Sequence, residues 1–469
     1  MPRRNTFARS RALLLALTLA LAVAALAGLP RAQTTATAAT KPDVIIILTD
    51  DQRAGTEQGM PFTWDYFSTL GTYYPNAQVP TNLCCPSRAA LLTGRYAHET
   101  NVWTNFNNDR GGYEAYRPHE NNALPKALQE QGYETSMYGK LLNGFSGYKT
   151  DATGWDNLHQ FVKADYWGSV NGLPGTGYTT DTLRNGVTQQ LANADPDTPQ
   201  FIWFSPYGPH EPFDAGPYRA TTATRDRMLQ AGGYRNPSFN QRDMSGKPRW
   251  LQSTHRLGQR RLATIDRQVR QQADTLMGID EAVRQIVETQ QTYRDLSNTV
   301  IVYMSDNGYA WGDQRLLGKR YPHRSINAVP LMIKYPDHMY RVGTDNRLIN
   351  NVDVAETIAA ITGANVQTSG VNALGDQKRL ELLLEATPYD GGQGAPHPGY
   401  CGVRTTRMQY VYYGDRTEEL YDNLRDPWQV ENLADRPAYT DTKMRLRAAA
   451  IAACEGTYPA IRKFKFKRR

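Results

Sequence analysis

Cysteine is scarce in this chain: four residues in 469, Cys84, Cys85, Cys401 and Cys454. That count excludes a disulfide-dense scaffold, so stability must come from an apolar core. Heptads, collagen triplets and internal repeats are also missing, while the hydrophobic fraction of 40% and charged fraction of 21% lie near globular averages. No groove-reading helix, zinc-finger spacing or RNA-binding signature occurs, so nucleic acid is not expected as a partner. Acidic residues are the minority charge, leaving a formal net charge of +7. Such an excess suits anionic partners through long-range steering, although part of it sits in the first residues and in the C-terminal tail KFKFKRR. Cys84 and Cys85 are adjacent and poorly placed to bridge each other. Cys401 and Cys454 can pair in an exported protein, closing a loop worth about 4 kcal/mol in the chain-entropy account; two free buried thiols are the alternative.

The length suffices for one large α/β domain with an appendage, or for two ordinary domains. Arg3, Arg4, Arg9 and Arg11 precede an apolar run from Ala12 to Leu29 that contains Ala25-Leu26-Ala27. This is the pattern of a signal peptide, giving a leader over residues 1–32, export by the general or twin-arginine route and no stable membrane insertion after cleavage. A retained anchor is the rival reading. Beyond it, Val44–Leu48, Phe201–Phe204, Thr299–Met304 and Leu331–Ile333 are short, almost continuously apolar runs, as strands buried on both faces of a parallel sheet are. Between them Leu262, Ile265, Val269, Leu276, Val283 and Ile286 recur at helical spacing. The alternation predicts a doubly wound α/β sheet. A linker around 363–375 and a turn-rich stretch at 389–399 set off a C-terminal part, in which Met408–Tyr413 reads as a strand and Lys443–Ala453 as a helix. The expected division is therefore 40–365 for the main domain and 366–469 for a smaller subdomain with a basic tail.

Polar clusters follow three of the strands: Thr49-Asp50-Asp51, Pro209-His210 and Ser305-Asp306-Asn307-Gly308. Ligand sites of open α/β sheets lie outside the carboxyl ends of strands, so these segments point to one pocket. Paired carboxylates at a buried strand end repel unless a cation joins them; helix capping is the bland alternative. With Asp306 and Asn307 they offer four oxygen donors and no histidine or cysteine, a set that suits Ca2+ or Mg2+ rather than zinc. In the run Cys84-Cys85-Pro86-Ser87-Arg88-Ala89-Ala90-Leu91-Leu92-Thr93-Gly94-Arg95, Pro86 suits a first helical turn and Gly94 a helix end, so Cys84 is expected just before a helix N-terminus. Free amides there favour an anion, and Arg88 adds a cation one turn in. Such a cysteine could be a thiolate nucleophile or a buried structural thiol.

That run resembles the signature of the sulfatases, Cys-x-Pro-Ser-Arg followed by x-x-x-Leu-Thr-Gly, in every fixed position. In that family the first cysteine is oxidised to formylglycine by a dedicated generating enzyme, and the register selects Cys84, with Cys85 a packed neighbour. Asp50-Asp51-Gln52 resembles the family's first metal motif, Gly139-Lys140 its sulfate-binding lysine, Pro209-His210 its active-site histidine, Asp306-Asn307-Gly308 its second metal motif and Lys319 its second lysine. The double cysteine, Tyr96-x-His98, Asn101-Val102 and Gly139-Lys140-Leu141-Leu142-Asn143 are similar to N-acetylglucosamine-6-sulfatases and heparan sulfate 6-O-endosulfatases. Many relatives carry a histidine where Leu142 stands, and Asn143 is the substitute considered for it. Arg324 and Asp43 also depart from the usual pattern.

The resemblance implies an alkaline phosphatase-like fold, a large and mostly parallel sheet between helices with a smaller C-terminal antiparallel sheet. It implies hydrolysis of sulfate esters, with Cys84, Asp50, Asp51, Asp306 and Asn307 at a calcium ion (magnesium being the alternative) and with Arg88, Lys140, His210 and Lys319 around the sulfuryl group. The expected substrate is a sulfated carbohydrate, specifically 6-O-sulfated N-acetylglucosamine. From their own composition, the polar, aromatic-rich segments 166–178 and 234–250 read either as the rim of the pocket or as ordinary surface loops. Broad arylsulfatase activity, phosphonate monoester or phosphodiester hydrolysis, and inactive sulfated-glycan binding are the competing readings.

Overall fold

Alternate residues of the apolar runs feed two different cores, which is why those runs show no polar face. The computed structural model describes residues 41–145, 152–161, 163–389 and 395–454. The expected leader, its cleavage site and the KFKFKRR tail lie outside the described residues. The main sheet contains β1 (Asp43–Thr49), β2 (Thr72–Tyr73), β3 (Glu134–Gly139), β4 (Asn157–His159), β5 (Gln200–Ser205), β6 (Thr299–Ser305), β7 (Leu331–Lys334) and β8 (Gly343–Thr344). Their spatial order is β8-β2-β7-β6-β1-β5-β3-β4. The pairings are parallel except those of β7, which runs against β6 and β2. The run Leu331–Ile333, which reads like a parallel strand, is therefore antiparallel; burial on both faces, not strand direction, makes a strand continuously apolar.

Val44, Ile46 and Leu48 of β1 face a core shared with helices α1 (Cys84–Thr93) and α4 (Asn351–Thr362). Ile45 and Ile47 face the opposite core, formed by α2 (Thr179–Asn193) and α3 (Gln259–Tyr293). The helical stripe read from the sequence lies on α3, whose Ile265, Val269, Leu276, Val283 and Ile286 are buried. Helix α1 opens at Cys84 itself, with Leu83 as its extended cap, one residue earlier than expected. It closes at Gly94, whose φ of +65° is a left-handed conformation that glycine adopts at little cost.

Strands β9 (Leu382–Ala386), β10 (Tyr400–Arg404), β11 (Met408–Tyr413) and β12 (Glu418–Asp422) form a separate antiparallel sheet in that order. One face carries helix α5 (Thr440–Ala453) through Leu446 and Ala450, and a Cys401–Cys454 disulfide joins β10 to the end of that helix, with a Cα–Cα distance of 6.2 Å. The other face, with Leu384, Tyr400, Val411 and Tyr413, packs on Trp250, Tyr321 and Ile326. Trp250 is thus a core residue, not part of a rim. The stretch 363–375 also packs against the main body: Ala364 and Ala373 join the α1/α4 core, and the Ser369 amide donates to the Gly94 carbonyl at 2.7 Å. Among the described residues no helix is long and apolar enough to cross a membrane.

Candidate active site

The carboxyl ends of β1, β3, β5 and β6 converge on the N-terminus of α1. β1 delivers Asp50 and Asp51, β6 delivers Asp306 and Asn307, and all four side chains are buried. β3 ends in Gly139 at φ +107°, where a Cβ would meet the Ser205 carbonyl oxygen at 2.0 Å; only glycine lets β3 approach β5 closely enough to place Lys140 in the cluster. His210 follows β5, and Lys319 follows the short strand Leu317–Gly318.

Lys319 Nζ donates to Cys84 Sγ at 2.8 Å and to an Asp51 carboxylate oxygen. Lys140 Nζ donates to Asp50, and the Cys84 thiol lies 3.4 Å from the other Asp50 oxygen. Arg88 is fully buried. Its Nε donates to Asp306 at 2.8 Å, and one Nη reaches the Lys140 carbonyl at 2.7 Å and Ser205 Oγ at 2.8 Å. His210 Nε2 stands 3.7 Å from Asp51, and its Nδ1 is 2.7 Å from the Glu211 carbonyl. The Tyr166 hydroxyl holds the His210 carbonyl at 2.6 Å, so this residue of the expected rim instead supports the histidine loop from below.

The nine residues expected at the metal and the sulfuryl group, Asp50, Asp51, Cys84, Arg88, Lys140, His210, Asp306, Asn307 and Lys319, are all in this cluster. Asn143 is not: its side chain points to solvent while its amide donates to Cys85 Sγ at 3.2 Å, and Leu142 is buried in the core. The chemistry expected of a histidine at position 142 therefore has no replacement from Asn143. Sequence inspection missed Ser205, which accepts from Arg88 and donates to the Leu48 carbonyl at 3.0 Å. Its only signal is that β5 and β6 both end in serine. His98 belongs to a different contact, 2.9 Å from Glu385 of β9.

Burial would push the Asp50 carboxyl up, but Lys140, His210, Arg88 and Lys319 together hold it well below the usual range. Asp306 goes the other way, raised by burial and by the neighbouring Asp50 charge. Burial and Asp50 push the Cys84 thiol up to about 12. Burial and the Asp50 charge thus disfavour a thiolate at an unmodified Cys84, against the opposing pull of Lys140 and Lys319.

Three lysine or arginine charges face three aspartates, so the cluster is close to neutral before any divalent ion is added. Single carboxylate oxygens of Asp50, Asp51 and Asp306 lie within 4.8 Å of one another. Asn307 Oδ1 is buried with no hydrogen-bond partner, while Nδ2 of the same amide donates to Asp51 at 2.6 Å. An oxygen-only donor set with an orphaned carbonyl fits a hard divalent cation. One such ion would turn the cluster cationic and receptive to a sulfuryl group.

The profile of the Sulfatase family matches residues 42–364, and that of the N-sulphoglucosamine sulphohydrolase C-terminal region matches residues 312–454. The extracellular sulfatase Sulf-1 homolog of Caenorhabditis elegans is 32% identical over 338 residues, covering 68% of this chain and 46% of the relative. The N-acetylglucosamine-6-sulfatase of Homo sapiens is 27% identical over 486 residues, covering 89% and 85%. The fold is similar to that of BT4656, solved with its substrate D-glucosamine-2-N,6-O-disulfate, at a TM-score of 0.74 and 20% identity, covering 90% of this chain and 100% of the other. The chain belongs to the sulfatase family and is a sulfuric ester hydrolase.

Proposed function

We propose that this enzyme removes a 6-O-sulfate from N-acetylglucosamine units of a glycan, using formylglycine made from Cys84 and a calcium ion held by Asp50, Asp51, Asp306, Asn307 and the modified residue 84. The observation that carries this reading is the contact of Lys319 Nζ with Cys84 Sγ at 2.8 Å beside three converging carboxylates. A side chain so placed touches both a proton carrier and the donor set of a cation. Formylglycine supplies a hydrated aldehyde, of which one hydroxyl is a nucleophile and the other a means of expelling sulfate, an exit that serine lacks. Calcium supplies Lewis acidity and a fixed template for the sulfuryl oxygens.

The chain's own groups do the rest. Arg88 from α1 and Lys140 from the end of β3 neutralise charge on the sulfuryl oxygens. Lys319 and His210 face the same space from separate loops, and one of them gives a proton to the departing sugar oxygen. Arg88 also fixes Asp306, through a bond whose charge-assisted geometry resists rotation. The Lys140 carbonyl and Ser205 hydroxyl occupy one of its amino groups, so the guanidinium is locked before substrate arrives.

The sugar assignment rests on the relatives named N-acetylglucosamine-6-sulfatase. Relatives named extracellular sulfatase support export, which the leader at 1–32 would direct; the proposed oxidation of Cys84 requires a formylglycine-generating enzyme as maturation partner. In this reading residues 40–365 form the catalytic domain and 366–469 the C-terminal subdomain.

Mass spectrometry of the peptide containing residue 84, from protein produced with a formylglycine-generating enzyme, is expected to show the aldehyde. Undiminished sulfate release from molecules with an intact thiol would overturn the modification. Turnover confined to aryl sulfates, across a panel that includes 6-O-sulfated N-acetylglucosamine, would overturn the sugar assignment.

A further inference from the structure

The segments that carry Cys84 and Lys319 also border a cavity of about 270 Å3, lined by Thr81, Asn82 and Leu83 from one segment and by Arg320, Tyr389 and His397 from others, with Trp103 and Phe106 completing the wall. Leu83 immediately precedes Cys84, and Arg320 immediately follows Lys319. The cavity is thus one residue away from the reactive pair along both segments. Its volume is close to the lower end of the roughly 300–1,000 Å3 typical of small-molecule sites, enough for one ring and not for a chain.

The lining is chemically unusual. Phe106 is 68% exposed, an aromatic face left open at the cavity wall. Thr81 Oγ1 and His397 Nε2 are buried there with no hydrogen-bond partner. His397 Nδ1 accepts from the Gly399 amide at 3.3 Å, which leaves Nε2 as the protonated donor. An open aromatic face with isolated donors and acceptors is how proteins bind a sugar, stacking on its C–H face and bonding its hydroxyls.

Arg320 is the odd member. Its guanidinium lies 4.4 Å from the Tyr389 ring centroid, and among the described residues it has no carboxylate partner. Its backbone has φ +87°, a region that non-glycine residues seldom adopt, so its placement is held by its surroundings and not by local preference. Burial, aided by the Arg320 charge, lowers the His397 imidazole to about 3 and so favours its neutral form. A preplaced guanidinium, stacked on an aromatic and lacking an anion, is suited to bind one in a forked geometry.

We propose that this cavity seats the sugar ring carrying the scissile ester and that Arg320 binds a second sulfate on the same ring, so that disulfated units are preferred over monosulfated ones. This rests on the sulfated-sugar reading above and specifies its substrate further. The test compares kcat/KM for 6-O-sulfated N-acetylglucosamine, N,6-O-disulfated glucosamine and 3,6-di-O-sulfated N-acetylglucosamine in the mature enzyme and in Arg320→Ala and Arg320→Lys. The wild type is expected to favour at least one disulfated sugar by about tenfold or more, as a charged hydrogen bond can supply. The preference should fall about tenfold in Arg320→Ala and be partly restored in Arg320→Lys. Which disulfated sugar is favoured identifies the position of the second sulfate. No preference in the wild type, or a preference unmoved by Arg320→Ala, overturns the proposal. If the wild type turns over none of the three, the substrate reading fails, and calorimetric titration of the Cys84→Ala variant with the same sugars decides this one. Tighter binding of a disulfated sugar that Arg320→Ala weakens about tenfold supports it, and equal affinities overturn it.

Discussion

Replacing Arg88 by methionine removes a buried cation whose partners are all visible. Asp306 loses its bond at 2.8 Å, and Asp50 loses a charge 3.6 Å away. Breaking a buried ion pair from one side costs about 3–5 kcal/mol, since the abandoned charge stays desolvated. With an unfolding entropy of about 2.1 cal/mol/K per residue over the roughly 400 described residues, each kcal/mol corresponds to about 1 °C, so Tm should fall by about 3–5 °C. The informative comparison is with Asp306→Asn and with the double variant. Removing both charges leaves a near-neutral pair of similar size, so the double variant should lose clearly less than the sum of the two singles, by about 2 kcal/mol of coupling. Differential scanning fluorimetry in the presence of a chelator reads this without interference from bound metal. A Tm unchanged within 1 °C in Arg88→Met, or strict additivity in the double variant, would refute the view that Arg88 and Asp306 act as one charged unit.

Titrating the chelated enzyme with Ca2+ should raise Tm by about 3 °C at a concentration near 100 times its Kd, from a stabilisation of about 2.7 kcal/mol, and Asn307→Ala should shift the titration to at least about tenfold higher Ca2+; no response to Ca2+ in thermal stability or sulfate release would exclude the site. Glu57 is buried and pushed up to about 7 from an ordinary 4.5. The native state therefore binds more protons than the unfolded state between those values, and stability should fall by about 3 kcal/mol as pH rises from 4.5 to 7, with the Glu57→Gln variant giving a flatter profile in chemical denaturation. Reduction of the Cys401–Cys454 bridge, or the Cys401→Ala/Cys454→Ala variant, should cost about 4 kcal/mol for the 53-residue separation it closes, read as lower resistance to urea; unchanged midpoints with and without reductant would argue that α5 is held by packing alone.

Much of the site was legible because its residues sit where a local pattern changes abruptly. Asp50, Asp306 and His210 follow apolar runs, and the Cys84 run carries both helix punctuation and a family signature. What escaped was set by contacts between distant segments. Ser205 is one hydroxyl at the end of one strand, and nothing nearby marks it as the acceptor for Arg88. The direction of β7 depends on how the chain returns after Lys319, not on the composition of Leu331–Ile333. Trp250 lies in a polar, turn-rich stretch that looks solvent-exposed until the second sheet is present to cover it. Asn143 had the right chemistry at the wrong angle, since Leu142 buries itself in the core and turns the next side chain outward.

The second sheet is better understood as part of the site than as an appendage. Lys319 reaches Cys84 from a loop that no strand of the main sheet supports directly, and the residues after it are fastened from the other side. Tyr321 is buried against Trp250, with rings stacked 5.7 Å apart, and its carbonyl accepts from Asn82 Nδ2 at 2.6 Å. Gln409 of β11 donates to the Pro322 carbonyl at 2.6 Å, and Gln429 accepts from the Arg324 amide at 2.9 Å. His98, on the segment following α1, is joined to Glu385 of β9. The two chain segments that bring Cys84 and Lys319 together are therefore both anchored on the C-terminal sheet. A lysine on a four-carbon stem loses its geometry if its backbone shifts by even about 1 Å, a displacement that can cost about 100-fold in rate. Cutting the chain near residue 366 should accordingly abolish sulfate release even though every proposed metal ligand lies before the cut.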